Sequence, residues 1–115
     1  GIHSEFKVLG KPEFPSSIET QLYWIVYEAL SNVLKYAEAK NVSLNFDFLG
    51  DTKTVTLQDD GVGFDPLTIY QSNGSGLKNI INRVESFGGK CSIDSRPGQG
   101  TVLRIEFKNS EDLDS

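Results

Sequence analysis

The chain has 115 residues, with 11 Lys and Arg against 16 Asp and Glu, so its formal net charge is −5. Hydrophobic residues make up 37% and charged residues 23%, a composition typical of one soluble globular domain. Nucleic-acid and anionic-membrane binders carry clustered Lys and Arg that replace phosphate counterions. The acidic balance here therefore predicts neither a nucleic-acid partner nor contact of this chain with a membrane.

Cysteine and histidine content limits the chemistry further. One cysteine, Cys91, makes an internal disulfide impossible and fits a reducing compartment, so we expect a cytoplasmic domain, whether or not a longer parent is membrane-anchored. One histidine, His3, leaves no His/Cys cluster for zinc and excludes a Ser-His-Asp triad unless the terminus folds into the core. We interpret residues 1–3 as a vector-derived remnant, 4–108 as the domain and 109–115 as a flexible acidic tail.

A long helix is predicted after the first segment of the chain. Ser16 and Glu19 have the spacing of a capping box, in which each side chain bonds the other's backbone N–H. Apolar residues then recur at steps of three and four up to about residue 38, namely Ile18, Leu22, Ile25, Val26, Ala29, Val33 and Ala37. A short strand before this helix completes the first unit.

The rest of the chain alternates strands with one further helix. Alternating apolar residues predict a hairpin around Gly50-Asp51, formed by Val42 to Phe48 and by Val55 to Leu57. A second helix carries Leu77, Ile80, Ile81, Val84 and Phe87 and is stopped by Gly88-Gly89. Cys91 and Ile93 belong to a fourth strand. Val102 to Phe107 form the last strand, whose mixed pattern indicates burial on both faces or a bulge.

Strands joined by tight turns, with two helices to cover them, predict an α/β (α+β) fold. We expect a two-layer sandwich in which a mixed β-sheet is covered on one face by helices.

Eight of the eleven glycines fall between positions 61 and 100, which suggests backbone approaching a ligand. The dinucleotide-binding fingerprint fails because Pro66 occupies the place of its third glycine, and a P-loop fails because no Gly-Lys-Ser/Thr is present. Another glycine geometry is therefore required.

The segment Asp59-Asp60-Gly61-Val62-Gly63 closes a strand with a carboxylate followed by two glycines. A carboxylate that accepts from an exocyclic amine selects adenine over guanine, which presents a carbonyl at that edge. Asp59 is the candidate residue for this contact. The alternative interpretation is an acidic hairpin turn.

Two other segments are suited to phosphate and metal. The segment Gly74-Ser75-Gly76-Leu77 opens the second helix, where unpaired N–H groups and the helix dipole favour an anion, unless it is a plain cap. Glu28, Asn32 and Lys35 share one face of the first helix, within an arc of roughly 60°. An Asn32 amide can complete a Mg²⁺ shell, Lys35 can meet a phosphate, and Glu28 can orient Asn32 or accept a proton. A solvated face with an i,i+4 pair is the alternative.

Four boxes occur in one order: Glu28-x-x-x-Asn32-x-x-Lys35-Tyr36-Ala37, Asp59-x-Gly61-x-Gly63, Gly74-x-Gly76-Leu77 and Gly100-Thr101. This order resembles the ATP-binding catalytic domain of two-component sensor histidine kinases, which belong to a superfamily with gyrase, heat-shock-chaperone and mismatch-repair ATPases. The likeness covers residues 5–107 and implies a Bergerat-type ATP-binding fold.

The resemblance implies a role for each matching residue. Asn32 would bind Mg²⁺, Lys35 a phosphate, and Tyr36 would pack by the adenine. Asp59 would take the adenine amine and Thr101 would join the water network behind it.

Gly74 and Gly76 would mark the hinge of a lid over ATP and the phosphate-facing start of the second helix. Arg83 matches a position that is often Arg in related sequences, and no role is assigned to it. Ile69, Leu77 and Ile80 are expected to line an apolar slot for the adenine.

The lid between Gly63 and Gly74 has ten residues, 64–73, as in the subgroup whose response regulators are of the nitrate/nitrite and desaturase-control type. The family phosphorylates a histidine on a separate dimerisation helix, for which no segment before Ser16 is long enough, and a terminal His3 is a poor acceptor. The expected function is a catalytic module that presents the ATP γ-phosphate to that histidine, with a response regulator downstream. Alternatives are an ATPase that uses Glu28, an anti-sigma-type serine kinase and a non-catalytic nucleotide-binding regulator.

Overall fold

The structure is a computed structural model that describes residues 3–10, 16–33, 38–63 and 76–108. These residues form a five-stranded sheet with helices on one face. The side chains of residues 16–18, 76 and 77 lie outside this description. The elements in chain order are β1 (His3–Leu9), α1 (Ser16–Asn32), β2 (Asn41–Asp47), β3 (Thr52–Asp59), α2 (Gly76–Ser86), β4 (Lys90–Ser95) and β5 (Thr101–Lys108).

The strand order is β1-β2-β3-β5-β4, and the sheet is mixed. β1 and β2 run parallel because α1 crosses over between them, whereas the other neighbouring pairs are antiparallel. α1 and α2 pack on each other. The predicted two-layer α/β sandwich, with its element order, is confirmed.

The core lies between the sheet and the helices. α1 places the predicted stripe residues Leu22, Ile25, Ala29 and Val33 in it, with Val26 half-buried. The sheet contributes alternate residues of every strand from β2 to β5, and α2 contributes Ile80 and Val84. Except in β5, alternation in strands and steps of three or four in helices therefore predicted the buried faces of the described residues.

The predicted first helix, with its apolar stripe up to about residue 38, can be compared with the structure up to residue 33 and at residue 38. α1 ends at Asn32, and residues 34–37, which include Lys35 and Tyr36, lie outside the described ranges. Glu38 has a φ of +51°, a left-handed conformation that cannot belong to a right-handed helix. The structure therefore places Glu38 outside the helix, and the predicted helical residues 34–37 remain outside the described ranges.

The prediction for the last strand, burial on both faces or a bulge, is wrong. β5 pairs residue by residue with β3 from Thr101 to Lys108 without a bulge. Leu103, Ile105 and Phe107 are buried, whereas Arg104 on the other face is exposed. Two half-buried residues on that face, Val102 and Glu106, produced the mixed pattern.

α2 ends where the two glycines predict. The N–H groups of Gly88 and Gly89 donate to the carbonyls of Glu85 and Val84, and Gly88 has a φ of +86°. This left-handed cap turns the chain straight into β4.

Candidate functional site

One end of the molecule collects the ends of several elements. Asp59, at the end of β3, lies opposite Thr101, which begins β5, and Thr101 lies opposite Ser95, which ends β4. α2 leads into β4 through a tight turn, so Gly76 at its start lies toward this same end. The crossover from β1 to β2 brings the last turn of α1, with Asn32, toward the same end.

Asp59 is a buried carboxylate on the helix-facing side of the sheet. Only 6% of the residue is exposed, and it continues the alternating series of Val55 and Leu57. Its Oδ1 accepts a hydrogen bond of 2.8 Å from the Gly61 N–H. Burial raises the pKa of Asp59, the nearby Asp60 charge adds to this, and the Gly61 bond opposes it. This carboxyl group is thus desolvated and held in one orientation by its own loop.

Thr101 is fixed from the side opposite Asp59. The Ser95 hydroxyl lies 2.8 Å from Thr101 Oγ1 and donates to the Gly100 carbonyl at 3.0 Å. Ser95 is itself buried, with 3% exposure. Its role was missed from the sequence, although it is the third member of the alternating series Cys91, Ile93 and Ser95. A polar residue at a core-facing position was the available signal.

The two glycine segments contact each other closely. Gly63, with a φ of +64°, lies so near the Arg96 carbonyl that a Cβ would overlap it. Gly100, with a φ of +75°, lies in the same way against the carbonyl of Asp59. The predicted need for glycine at these two positions is thus explained by backbone packing.

Asp60 anchors the start of β2. Its Oδ1 accepts from the backbone N–H groups of Lys40 and Asn41, both at 2.8 Å, and its Oδ2 accepts from Asn41 Nδ2 at 2.7 Å. The bonds from Asn41 hold the pKa of the Asp60 carboxyl below its ordinary value. Adjacent carboxylates therefore differ in role, since Asp59 faces the core and Asp60 ties two loops together.

The helix residues of the predicted site are described in part. Glu28 and Asn32 lie one turn apart on α1, and both are half-buried. Gly61 is buried in the loop after Asp59, and Gly76 begins α2. The remaining predicted site residues lie outside the described ranges, namely Lys35, Tyr36, Gly74 and the side chain of Leu77. The predicted lid, residues 64–73, lies outside them too.

Of the three residues predicted to line the adenine slot, only Ile80 has a side chain among the described residues. Ile80 is completely buried and belongs to the main core, so it supports the helix from within. Ile69 and the Leu77 side chain are outside the described part of the chain.

Arg83 has a structural contact that the sequence did not indicate. Its guanidinium carbon lies 4.3 Å from the centroid of the Trp24 ring, a cation–π arrangement between α2 and α1. The contact joins the two helices whose ends flank the site.

Two negative findings apply to the described ranges. They contain no cluster of three or more His, Cys, Asp or Glu side chains placed to hold a metal ion. Within the same ranges, neither helix has the length and apolar character needed to cross a bilayer.

Comparison with known proteins identifies the family. Residues 17–111 match the model of the histidine kinase-, DNA gyrase B- and HSP90-like ATPases. The chain belongs to this family and is an ATP-binding domain of it, which confirms the resemblance drawn from the four boxes.

Named relatives are sensor kinases. The chain is 37% identical over 102 residues to an uncharacterized sensor-like histidine kinase of Chloroflexus aurantiacus, covering 84% of this chain and 17% of that protein. It is 36% identical over 108 residues to the signal transduction histidine-protein kinase/phosphatase DegS of Brevibacillus brevis, covering 93% and 28%. The chain thus spans less than a third of the length of these relatives.

Solved structures share the fold. The histidine kinase domain of the Erythrobacter litoralis EL346 blue-light activated histidine kinase has a TM-score of 0.82 at 21% identity, over 98% of this chain and 54% of that one. The Acinetobacter baumannii histidine kinase AdeS has a TM-score of 0.79 at 12% identity, over 95% and 55%.

Proposed function

We propose that this chain is the ATP-binding catalytic domain of a sensor histidine kinase. It presents the γ-phosphate of ATP to a histidine on a separate dimerisation and phosphoacceptor domain, and a response regulator takes the phosphoryl group onward. The observation that carries the proposal is the buried Asp59 carboxylate, paired across the sheet with Thr101 and bounded by two interlocked glycine segments.

The adenine contact follows from the chemistry of Asp59. The Gly61 N–H engages Oδ1, so the second oxygen is the one that accepts the exocyclic amine of adenine. Guanine presents a carbonyl there, and two acceptors facing each other in a desolvated site are strongly unfavourable. The Thr101 hydroxyl, held by Ser95, supports a water at the same base edge.

The phosphate end is assigned to the helix residues. Lys35 contacts a phosphate, Tyr36 packs by the adenine, and Gly74, Gly76 and Leu77 open the phosphate-facing helix start. A Mg²⁺ ion bound with the nucleotide would take phosphate oxygens and water as most of its ligands. Asn32, which is half-buried at the end of α1, would be its protein ligand, because a neutral amide oxygen suits such a shell.

The chain's contribution to phosphoryl transfer is positioning and charge neutralisation. A Mg²⁺ ion held by Asn32 would supply positive charge that offsets the phosphates. Asn32 and Lys35 fix the phosphate chain, Glu28 orients Asn32 or accepts a proton, and Asp59 fixes the base. The attacking imidazole nitrogen comes from the partner domain.

A phosphotransfer assay tests this proposal. With radiolabelled ATP, this chain alone should gain essentially no acid-labile phosphate, and His3→Ala should change nothing. Addition of a dimerisation-helix fragment from the same parent kinase should give slow labelling of that fragment, because no tether raises the local concentration. Acid-stable labelling of a Ser or Thr partner would instead identify a serine kinase. Rapid phosphate release without an acceptor would identify an ATPase with Glu28 as base.

The Asn32 assignment has its own test. Asn32→Ala should weaken the magnesium-dependent part of ATP affinity and leave adenosine binding nearly intact, because the amide touches only the phosphate end. Equal weakening of both ligands, measured by titration calorimetry, would contradict the assignment.

A further inference from the structure

Strand β1 is an open edge of the sheet. All seven of its residues are exposed, and within the described ranges no strand pairs with its outer side. The His3 N–H donates to the Lys40 carbonyl at 2.8 Å, and the Leu9 carbonyl accepts from Phe48 at 2.8 Å. Odd-numbered residues of β1 thus direct their backbone groups toward β2. Since these directions alternate along a strand, the N–H and C=O groups of Ser4, Phe6 and Val8 point outward.

A row of aromatic rings leads to this edge. Phe48 and Phe46 have ring centroids 5.8 Å apart, and Phe46 and Phe6 have centroids 5.4 Å apart. Phe48 is buried, whereas Phe6 is 67% exposed. The row therefore begins in the core and ends in solvent on the open strand, an arrangement that a further strand would cover.

We propose that β1 pairs antiparallel with β1 of a second copy of this chain, about a two-fold axis at Phe6. The two sheets then form one sheet of ten strands. Ser4 lies opposite the partner's Val8, Phe6 opposite the partner's Phe6, and all the outward backbone groups of the strand are paired. The aromatic row becomes continuous through the axis. This interaction is independent of the proposed kinase function.

Charge complementarity selects this register. Glu5 lies opposite the partner's Lys7, and Lys7 opposite the partner's Glu5, at non-hydrogen-bonded positions where opposed side chains are closest. A slide of two residues sets either Glu5 against the partner's Glu5 or Lys7 against the partner's Lys7, and pairs two fewer residues. A slide of one residue misaligns the outward backbone groups. The contact of Glu5 with His3, at 3.6 Å on the exposed surface, is too weak to compete.

Sedimentation equilibrium tests the pairing. The area of one strand pair is small, so the dimer should be weak and should form across loading concentrations from about 10 μM to about 1 mM. Glu5→Lys and Lys7→Glu should each weaken self-association by about tenfold or more, because both opposite-charge pairs become like-charge pairs. A mixture of these two variants should associate, and the double variant E5K/K7E should self-associate as the original chain does.

Two matched variants isolate the surface. Glu19→Lys makes the same charge change on the exposed face of α1 and should leave association unchanged. Ser4→Pro removes an outward N–H without removing a bond to β2 and should abolish association. Circular dichroism confirms that each variant is folded. A chain that stays monomeric throughout, a charge variant without effect, or a variant mixture that does not associate would overturn the proposal.

Discussion

Asp59 and Thr101 lie directly opposite each other on β3 and β5, and both side chains face the helices. Thr101 is tied through its hydroxyl to Ser95, while Asp59 is tied through Oδ1 to the loop that follows it. The two side chains are therefore held by different parts of the chain, Thr101 by β4 and Asp59 by the loop after β3. The threonine hydroxyl is therefore held beside the carboxylate, on the neighbouring strand.

Gly100 and Gly98 form a matched pair for testing this arrangement. Both have a positive φ, of +75° and +82°, but a Cβ at Gly100 would overlap the Asp59 carbonyl, whereas nothing lies within 4 Å of one at Gly98. Gly98→Ala should cost about 1–2 kcal/mol of unfolding free energy, from backbone strain alone. Gly100→Ala should cost clearly more, about 3 kcal/mol or above, because β3 and β5 must separate. Urea unfolding measures both, and equal losses would show that the close packing at Gly100 is unimportant.

Asp60 should make stability depend on acid pH. Its folded pKa lies below the ordinary value of 3.8, so its contribution is fully present above that value and is lost as pH falls through the folded pKa. Asp60→Asn should lower the melting temperature at pH 7, since an amide cannot accept every bond that the carboxylate accepts. The difference from the original chain should shrink as the pH falls below 3.8 and through the lower folded pKa of Asp60. Thermal melts from pH 7 down to this acid range measure the difference in melting temperature. A difference that stayed constant or grew would refute a stabilising role of the Asp60 carboxylate.

The contact of Trp24 with Arg83 should couple α1 to α2. A double-mutant cycle with Trp24→Leu and Arg83→Leu should give a coupling free energy of about 0.5–1 kcal/mol, the range for a partly exposed cation–π pair. Trp24 is the only tryptophan, so Arg83→Leu should also change the intrinsic fluorescence. Lys78→Leu, at an exposed position of the same helix, serves as the control and should show no coupling with Trp24. If the losses of unfolding free energy in the two single variants simply add up in the double variant, Arg83 does not couple the two helices through Trp24.

Periodicity predicted the layers of this fold because each element buries one face. Leu22 and Ile25 on α1, and Val55 and Leu57 on β3, are buried as their spacing indicates. Periodicity misjudged the burial of β5, because Val102 and Glu106 on its outer face are half-buried. Apolar spacing also carries no information on the left-handed backbone of Glu38.

The sequence singled out candidate site residues whose type carries its own chemistry, and it missed residues that hold other parts of the chain by hydrogen bonds. Asp59 and Thr101 stand out beside glycines, and register then sets them side by side. Asp60 accepts from the N–H groups of Lys40 and Asn41, 20 and 19 positions away, which local spacing does not encode. Ser95 bonds Gly100 only five positions away, and its signal was a polar residue at a core-facing position. The ligand-binding and catalytic roles of all the candidate site residues stay predictions, and for Lys35, Tyr36 and Gly74 their positions also lie outside the described residues.

Titration calorimetry with ATP and GTP, in the presence of Mg²⁺, tests the central assignment most directly. The original chain should bind ATP and ADP in preference to GTP, and Asp59→Asn should lose about 1.5–3 kcal/mol of ATP binding free energy, because the amide presents a donor to the adenine amine. Circular dichroism should show the variant still folded, since Asn retains the shape of Asp. Equal affinity of the original chain for ATP and GTP, or undiminished ATP binding by a folded Asp59→Asn variant, would contradict adenine recognition by Asp59.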